Sequence, residues 1–173
     1  GGVLIDLASV LEQRGDVDSA LNQVQEALKL LAKSAAGRDR AYDGLLLLGR
    51  LGLRQRQFDP ARQAFAAAIE EARRAGRIAA EAEARALVGA LAQAQGNLEA
   101  AVIDTEAAIV LAGQVGDPVL EARLHQQVGR ALVALGRRGD AAAALSRALD
   151  RARRGQWDEG VSAAQQLLAV VGA

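Results

Sequence analysis

The chain has 173 residues, 21 basic and 21 acidic side chains, and neither cysteine nor methionine. A net charge of zero speaks against a dedicated nucleic-acid binder, which carries a broad basic field, and the missing thiols exclude a disulfide framework and a thiolate metal site while fitting a reducing, cytoplasmic setting. Only Tyr42, Phe58, Phe65 and Trp157 are aromatic, whereas the strong helix formers Ala, Leu, Arg, Glu and Gln dominate, so the composition predicts an all-α chain.

One pattern is written four times. It runs Gly15-Asp16-Val17-Asp18-Ser19-Ala20 with Ala27-Leu28, Arg56-Gln57-Phe58-Asp59-Pro60-Ala61 with Ala68-Ile69, Gly96-Asn97-Leu98-Glu99-Ala100-Ala101 with Ala108-Ile109, and Gly136-Arg137-Arg138-Gly139-Asp140-Ala141 with Ala148-Leu149. The first residues of successive copies stand 41, 40 and 40 positions apart. A fixed period of this size means stacked supersecondary units. Helices are predicted near 3–14, 17–34, 40–55, 58–75, 79–95, 98–114, 118–135, 138–154 and 157–171. They group into repeats at about 1–36, 40–75, 79–115 and 118–154, within a single domain spanning 1–173.

Within each repeat the turn falls at Arg14-Gly15, Arg56-Gln57, Gly96-Asn97 or Gly136-Arg137, where Gly can take the left-handed conformation that ends a helix. Asp16, Asn97 and Asp59 then stand where an N-cap or first-turn carboxylate serves the free amides of the second helix. Pro60 is tolerated there because a first-turn amide has no helical partner. Gly37, Gly76 and the segment from Gly113 to Pro118 supply the breaks between repeats. Gly49, Gly89 and Gly129 recur at one point in the first helices, and since glycine costs a helix interior about 1 kcal/mol relative to Ala, their recurrence points to close helix approach. After Leu149 the rhythm breaks, and the helix from Trp157 to Val171 is either a cap with a wetter outer face or the first helix of a fifth repeat.

These residues resemble the tetratricopeptide repeat (TPR) family over nearly the whole chain: a small residue in the first helix, Gly-Asn-Leu-Glu-Ala-Ala at the turn, and Ala-Ile seven residues after Ala101. Standard family repeats take about 34 residues, and the longer period here is similar to bacterial-type repeats in regulators and adaptors. The family's early aromatic is replaced by Leu4, Leu45, Arg85 and His125. The resemblance implies a right-handed superhelical solenoid of antiparallel helix pairs, with four repeats and a C-terminal helix. Opening on Gly1-Gly2 without a methionine, the sequence reads as a piece of a longer protein, which would leave any catalytic or DNA-binding part outside it.

Catalytic and cofactor chemistry finds no support. There is no phosphate loop, and Gly49-Arg50-Leu51-Gly52 is too short for a dinucleotide fingerprint and lies in a predicted helix. His125 is the only histidine and reads as a half-buried packing residue rather than a metal ligand. Ser9, Ser146, Ser162 and Thr105 have no base at suggestive spacing, and Asp158-Glu159 suits the dipole of a helix start. No enzyme, cofactor, metal or membrane-spanning role is expected, and the longest apolar stretch, Leu45 to Leu48, is far too short to cross a bilayer.

What remains is recognition. In TPR folds the first helices line the concave face, and the resemblance places Ile5, Asp6, Ser9 and Glu12, then Asp43, Leu46, Leu47, Arg50, Leu53 and Arg54, then Glu83, Ala86, Leu87, Ala90 and Gln93, then Arg123, Gln126, Gln127, Arg130 and Val133 on it. The partner-binding set is Asp43, Leu46, Leu47, Arg50, Leu53, Arg54, Gln93, Arg123, Gln126, Gln127 and Arg130. Arginine forks suit carboxylates and glutamines suit a peptide backbone, so the partner is expected to be a protein or peptide with acidic side chains, with no nucleic acid or membrane involved. TPR modules that grip chaperone tails use Lys and Asn at places here held by Ile5, Ser9, Leu47 and Ala86, which disfavours that specificity. Two alternatives stay open: a regulatory or sensor portion of a larger bacterial signalling or transcription regulator, and self-association. The charge blocks, −5 over 76–121 and +6 over 122–154, are either solvated helix faces or complementary surfaces for the latter.

Overall fold

The computed structural model describes residues 2–32 and 35–172, with the backbone alone over 35–40. Among the described residues there is no strand, and the helices are α1 (Gly2–Gln13), α2 (Val17–Leu31), α3 (Ala35–Arg54), α4 (Phe58–Arg74), α5 (Ile78–Ala94), α6 (Leu98–Val115), α7 (Pro118–Ala134), α8 (Arg138–Arg154) and α9 (Asp158–Gly172). The boundaries follow the sequence pattern closely except at the first linker. There α2 ends at Leu31 and α3 begins at Ala35, so Gly37, expected to break the chain, is helical backbone. Flanking Ala35, Ala36 and Arg38 favour helix, and one glycine is too weak a breaker to overrule them. The last positions expected of α2, residues 33 and 34, lie outside the described residues. Gly113 likewise falls inside α6, and the break comes at Gly116 and Asp117.

Six of the turns use one device. A residue in the left-handed region ends the helix at Gly15, Arg56, Gly76, Gly96, Gly136 and Gln156. The next amide then donates to a carbonyl five residues back: Asp16 to Leu11 (3.0 Å), Gln57 to Gly52 (2.8 Å), and Arg77 to Ala72, Asn97 to Ala92, Arg137 to Leu132 and Trp157 to Ala152 (2.9 Å each). This is the Schellman closure, and it satisfies carbonyls that a helix end leaves unpaired. Starts are capped where the chemistry allows. Asp16 accepts from the Ser19 amide, Asn97 from that of Ala100, and Asp117 from those of Val119 and Leu120, ahead of Pro118.

The recurring glycines mark where paired helices touch. A Cβ on Gly49 would fall onto the ring of Phe65, one on Gly89 onto the Thr105 hydroxyl, and one on Gly129 would lie 2.5 Å from Cδ2 of Leu145. The residues received are themselves 40 positions apart. Thr105 fits among them because its hydroxyl donates to the Ala101 carbonyl at 2.7 Å, leaving no unpaired polar atom. In the first repeat Ala8 and Val24 occupy the corresponding places, and both are wholly buried.

The contacts divide the chain into two units, Gly1–Leu87 and Val88–Ala173. The core of the first is built from Ile5, Ala8, Val24, Ala27, Leu47 and Leu51. In this unit Tyr42 donates to the Ala80 carbonyl at 2.7 Å, and the Arg77 guanidinium stands 4.7 Å from the centre of its ring. Burial, reinforced by the charge of Glu83, pushes the Tyr42 hydroxyl well above its usual range, so it remains a donor. The second unit packs Ala92, Val102, Val128, Ala131, Leu132 and Ala144 together. Here α9 lies against α8 and α7, with the Gln126 side chain donating to the Gly160 carbonyl at 2.8 Å, and at its own start the Trp157 ring rests where Gly160 has no side chain. His125 is buried rather than half-buried. Burial lowers its pKa to about 4, and the nearby charges of Arg147 and Arg151 push in the same direction.

Three measurements check this account. Gly129→Ala should lower stability by up to about 2 kcal/mol in urea unfolding, because an overpacking cost of roughly 1–3 kcal/mol is offset by a helix-propensity gain of only about 1. Adding Leu145→Ala should give a double mutant less destabilised than the two single losses combined, as expected for groups in contact. Arg56→Gly should raise stability by about 0.5–1 kcal/mol, since a left-handed side chain is strained and glycine is not. For His125 the folded pKa is depressed, so the unfolded chain binds the extra proton and stability is lost as pH falls from about 6.5 toward 4. His125→Phe should remove that part of the acid limb, while carboxylate effects below about pH 5 persist in both proteins.

Candidate functional site

The surface expected for recognition lies on the first helices of the pairs, and packing decides how much of it is reachable. In the first unit α3 touches α1, α2 and α4; in the second α7 touches α6, α8 and α9. A helix with neighbours on three sides keeps only a narrow outward strip. On α3 that strip holds Asp43, Arg50 and Arg54, with Leu53 half-buried beside it, and on α7 it holds Arg123 and Arg130 with Gln127 half-buried between them. The seven-residue step from 43 to 50 repeats from 123 to 130, two turns along a helix. Gln93, at the end of α5, is half-buried.

Three of the expected residues are not on that strip. Leu46 and Leu47 are buried, Leu47 with 1% of its surface exposed, and Leu47 belongs to the core around α1 and α2. Gln126 is 4% exposed and spends its amide on the Gly160 carbonyl. These positions stand three or four residues from the strip and therefore turn toward neighbouring helices. Contrary to expectation, all three are packing positions rather than partner contacts.

The arginines differ in how they are held. Arg50 Nη2 is 3.3 Å from the Glu12 carboxylate, while Arg54 Nη1 donates to the Glu12 carbonyl at 3.2 Å and lies 4.0 Å from its carboxylate. Two guanidinium groups thus converge on one half-buried carboxylate. Arg123 and Arg130 have no ion-pair partner among the described residues.

The second unit also contains a cleft that sequence reasoning missed. It encloses about 660 Å³ and runs between α6 and α8, with α7 beneath. Its α6 side carries Glu99, Val102, Ile103, Glu106, Ile109 and Val110; its floor carries His125, Val128 and Leu132; its α8 side carries Arg137, Asp140, Ala143, Ala144 and Arg147. Ile103 and Val110 are each 66% exposed. Their seven-residue spacing, matched by Glu99 and Glu106, was the available signal. Among the described residues no group of three or more metal-ligating side chains gathers, and no helix is long and apolar enough to cross a membrane.

No protein-family model and no curated relative matches the sequence. Solved structures do match. Aspartyl phosphate phosphatase F from Bacillus subtilis superposes with a TM-score of 0.91 at 13% identity, over 97% of this chain and 44% of that one. A Rap protein complexed with competence and sporulation factor gives 0.75 at 13% identity, over 92% and 45%. A thermophilic TPR protein of Thermus thermophilus gives 0.62 at 25% identity, over 98% and 81%. The chain spans less than half the length of the first two. It has the all-helical repeat fold of these TPR-like proteins.

Proposed function

We propose that this chain is a protein-interaction module whose exposed helix strips bind a partner segment, extended or helical, bearing carboxylates. In the first unit the contacts are Asp43, Arg50, Leu53 and Arg54; in the second they are Gln93, Arg123, Gln127 and Arg130. The observation that carries the reading is the convergence of Arg50 and Arg54 on Glu12. A half-exposed pair of this kind is worth only about 0.2–1 kcal/mol, so an incoming carboxylate can take the place of Glu12 at little cost and gain a forked, charge-assisted contact. The solved Rap complex with its factor supports a peptide or protein partner for a fold of this type.

A second reading rests on the likeness to aspartyl phosphate phosphatase F, of which this chain spans 44%. In that case the repeats are the regulatory part of a larger bacterial signalling or transcription regulator, and the bound segment is a regulator rather than a client.

Affinity capture from lysate of the source cells, followed by mass spectrometry, separates these from no binding at all. Arg50→Glu combined with Arg130→Glu should lose the captured protein. Glu12→Gln should strengthen capture by about 2–5-fold, the equivalent of the released pair. Identical capture by all three proteins would sink the strip as a binding surface.

A further inference from the structure

The cleft of the second unit lies on different residues from the arginine strips. Its walls are opposite in charge. Glu99 and Glu106 stand on the α6 side and Arg137 and Arg147 on the α8 side, while the apolar surface between them comes from Val102 and Ile109 of α6 and from Val128 and Leu132 on the floor. Arg137 is partly neutralised by Asp140, 2.6 Å away, whereas Arg147 has no acidic partner among the described residues. The lining runs from 99 to 110 on α6 and from 137 to 147 on α8, about 15–17 Å at the rise of an α-helix. That length takes roughly three turns. Ile103 and Val110 on the rim extend the apolar contact beyond the floor.

We propose that this cleft receives an amphipathic helix of a partner protein, with its apolar face on the floor, a basic flank against Glu99 and Glu106 and an acidic flank against Arg147 and Arg137. Helix-in-groove recognition reads apolar anchors at i, i+3/i+4 and i+7, and the paired walls add a charge requirement on each side. Opposite walls reject a helix with two like-charged flanks, since one flank then meets its own sign.

The test uses three synthetic peptides of roughly 18 residues sharing one leucine face: one flank Glu and the other Lys, both flanks Glu, or both flanks Lys. Fluorescence anisotropy against the 173-residue chain at low salt should show the mixed peptide binding about tenfold tighter than either uniform one. Ile103→Asp should weaken it by about tenfold or more, with circular dichroism confirming retained helix. Glu106→Lys, at an exposed position, should weaken the mixed peptide and strengthen the all-Glu one, a crossover that loss of structure cannot produce. Lys29→Ala, at an exposed position on α2 outside both surfaces, should leave all three affinities unchanged. Absent or equal binding of the three peptides, no crossover with Glu106→Lys, or loss through Lys29→Ala overturns the proposal.

Discussion

Every pair of helices in which the recurring glycine occurs closes on a point where one partner has no side chain, and the rest of the architecture follows from that contact. Gly49, Gly89 and Gly129 accept Phe65, Thr105 and Leu145, three residues of different size and polarity. The constraint is therefore on the receiving helix. Phe65 and Leu145 fill the vacancy with apolar bulk, and Thr105 fills it with a hydroxyl already bonded to its own helix. Glycine weakens a helix by about 1 kcal/mol at such a place, and close packing of two backbones offsets the loss. Because the contact repeats with the turns, helix lengths and register are held together: a shifted turn would carry the glycine past its partner.

That packing also decides what the surface can be. A first helix pressed by its own partner and by helices of adjacent repeats is buried on most sides, and ten of the seventeen residues of α7 are buried. The remaining strip is one residue wide every two turns. Arginine suits it because a long stem can lie along neighbouring apolar surface while the guanidinium reaches solvent. Second helices are less enclosed. That is why α6 can expose Ile103 and Val110 while burying Ala101, Thr105, Ala108 and Ala112 on its other side.

The parts of this structure that depend on local chemistry were legible from residues alone. The turn was readable at Arg56 from register alone, whereas its left-handed backbone was not, because the residue type does not favour it. The glycine contacts were legible because a costly residue recurring at a fixed period needs a steric reason. Gly37 misled because it stands in a helix-favouring stretch, where one weak breaker does not end a helix. At the surface the sequence was less informative. Leu46, Leu47 and Gln126 were placed outward because a helix period alone does not say how many neighbours a helix has, and the third neighbour turned them inward. The cleft was illegible for a related reason: it is formed by helices of two successive repeats, and no single repeat contains it.

The neutral total charge conceals an ordered distribution that the repeat makes useful. The acidic block over 76–121 and the basic block over 122–154 are about one period long, so their second helices, α6 and α8, come to stand on either side of α7 with opposite sign. Across open solvent at physiological salt such charges are screened within about 8 Å, and each wall remains hydrated. A ligand that brings countercharges into contact on both sides while drying the floor converts the same charges into direct, less screened pairs. The resulting selectivity depends on the pairing of two flanks rather than on the sign of either, which is why a chain of zero net charge can still discriminate by charge.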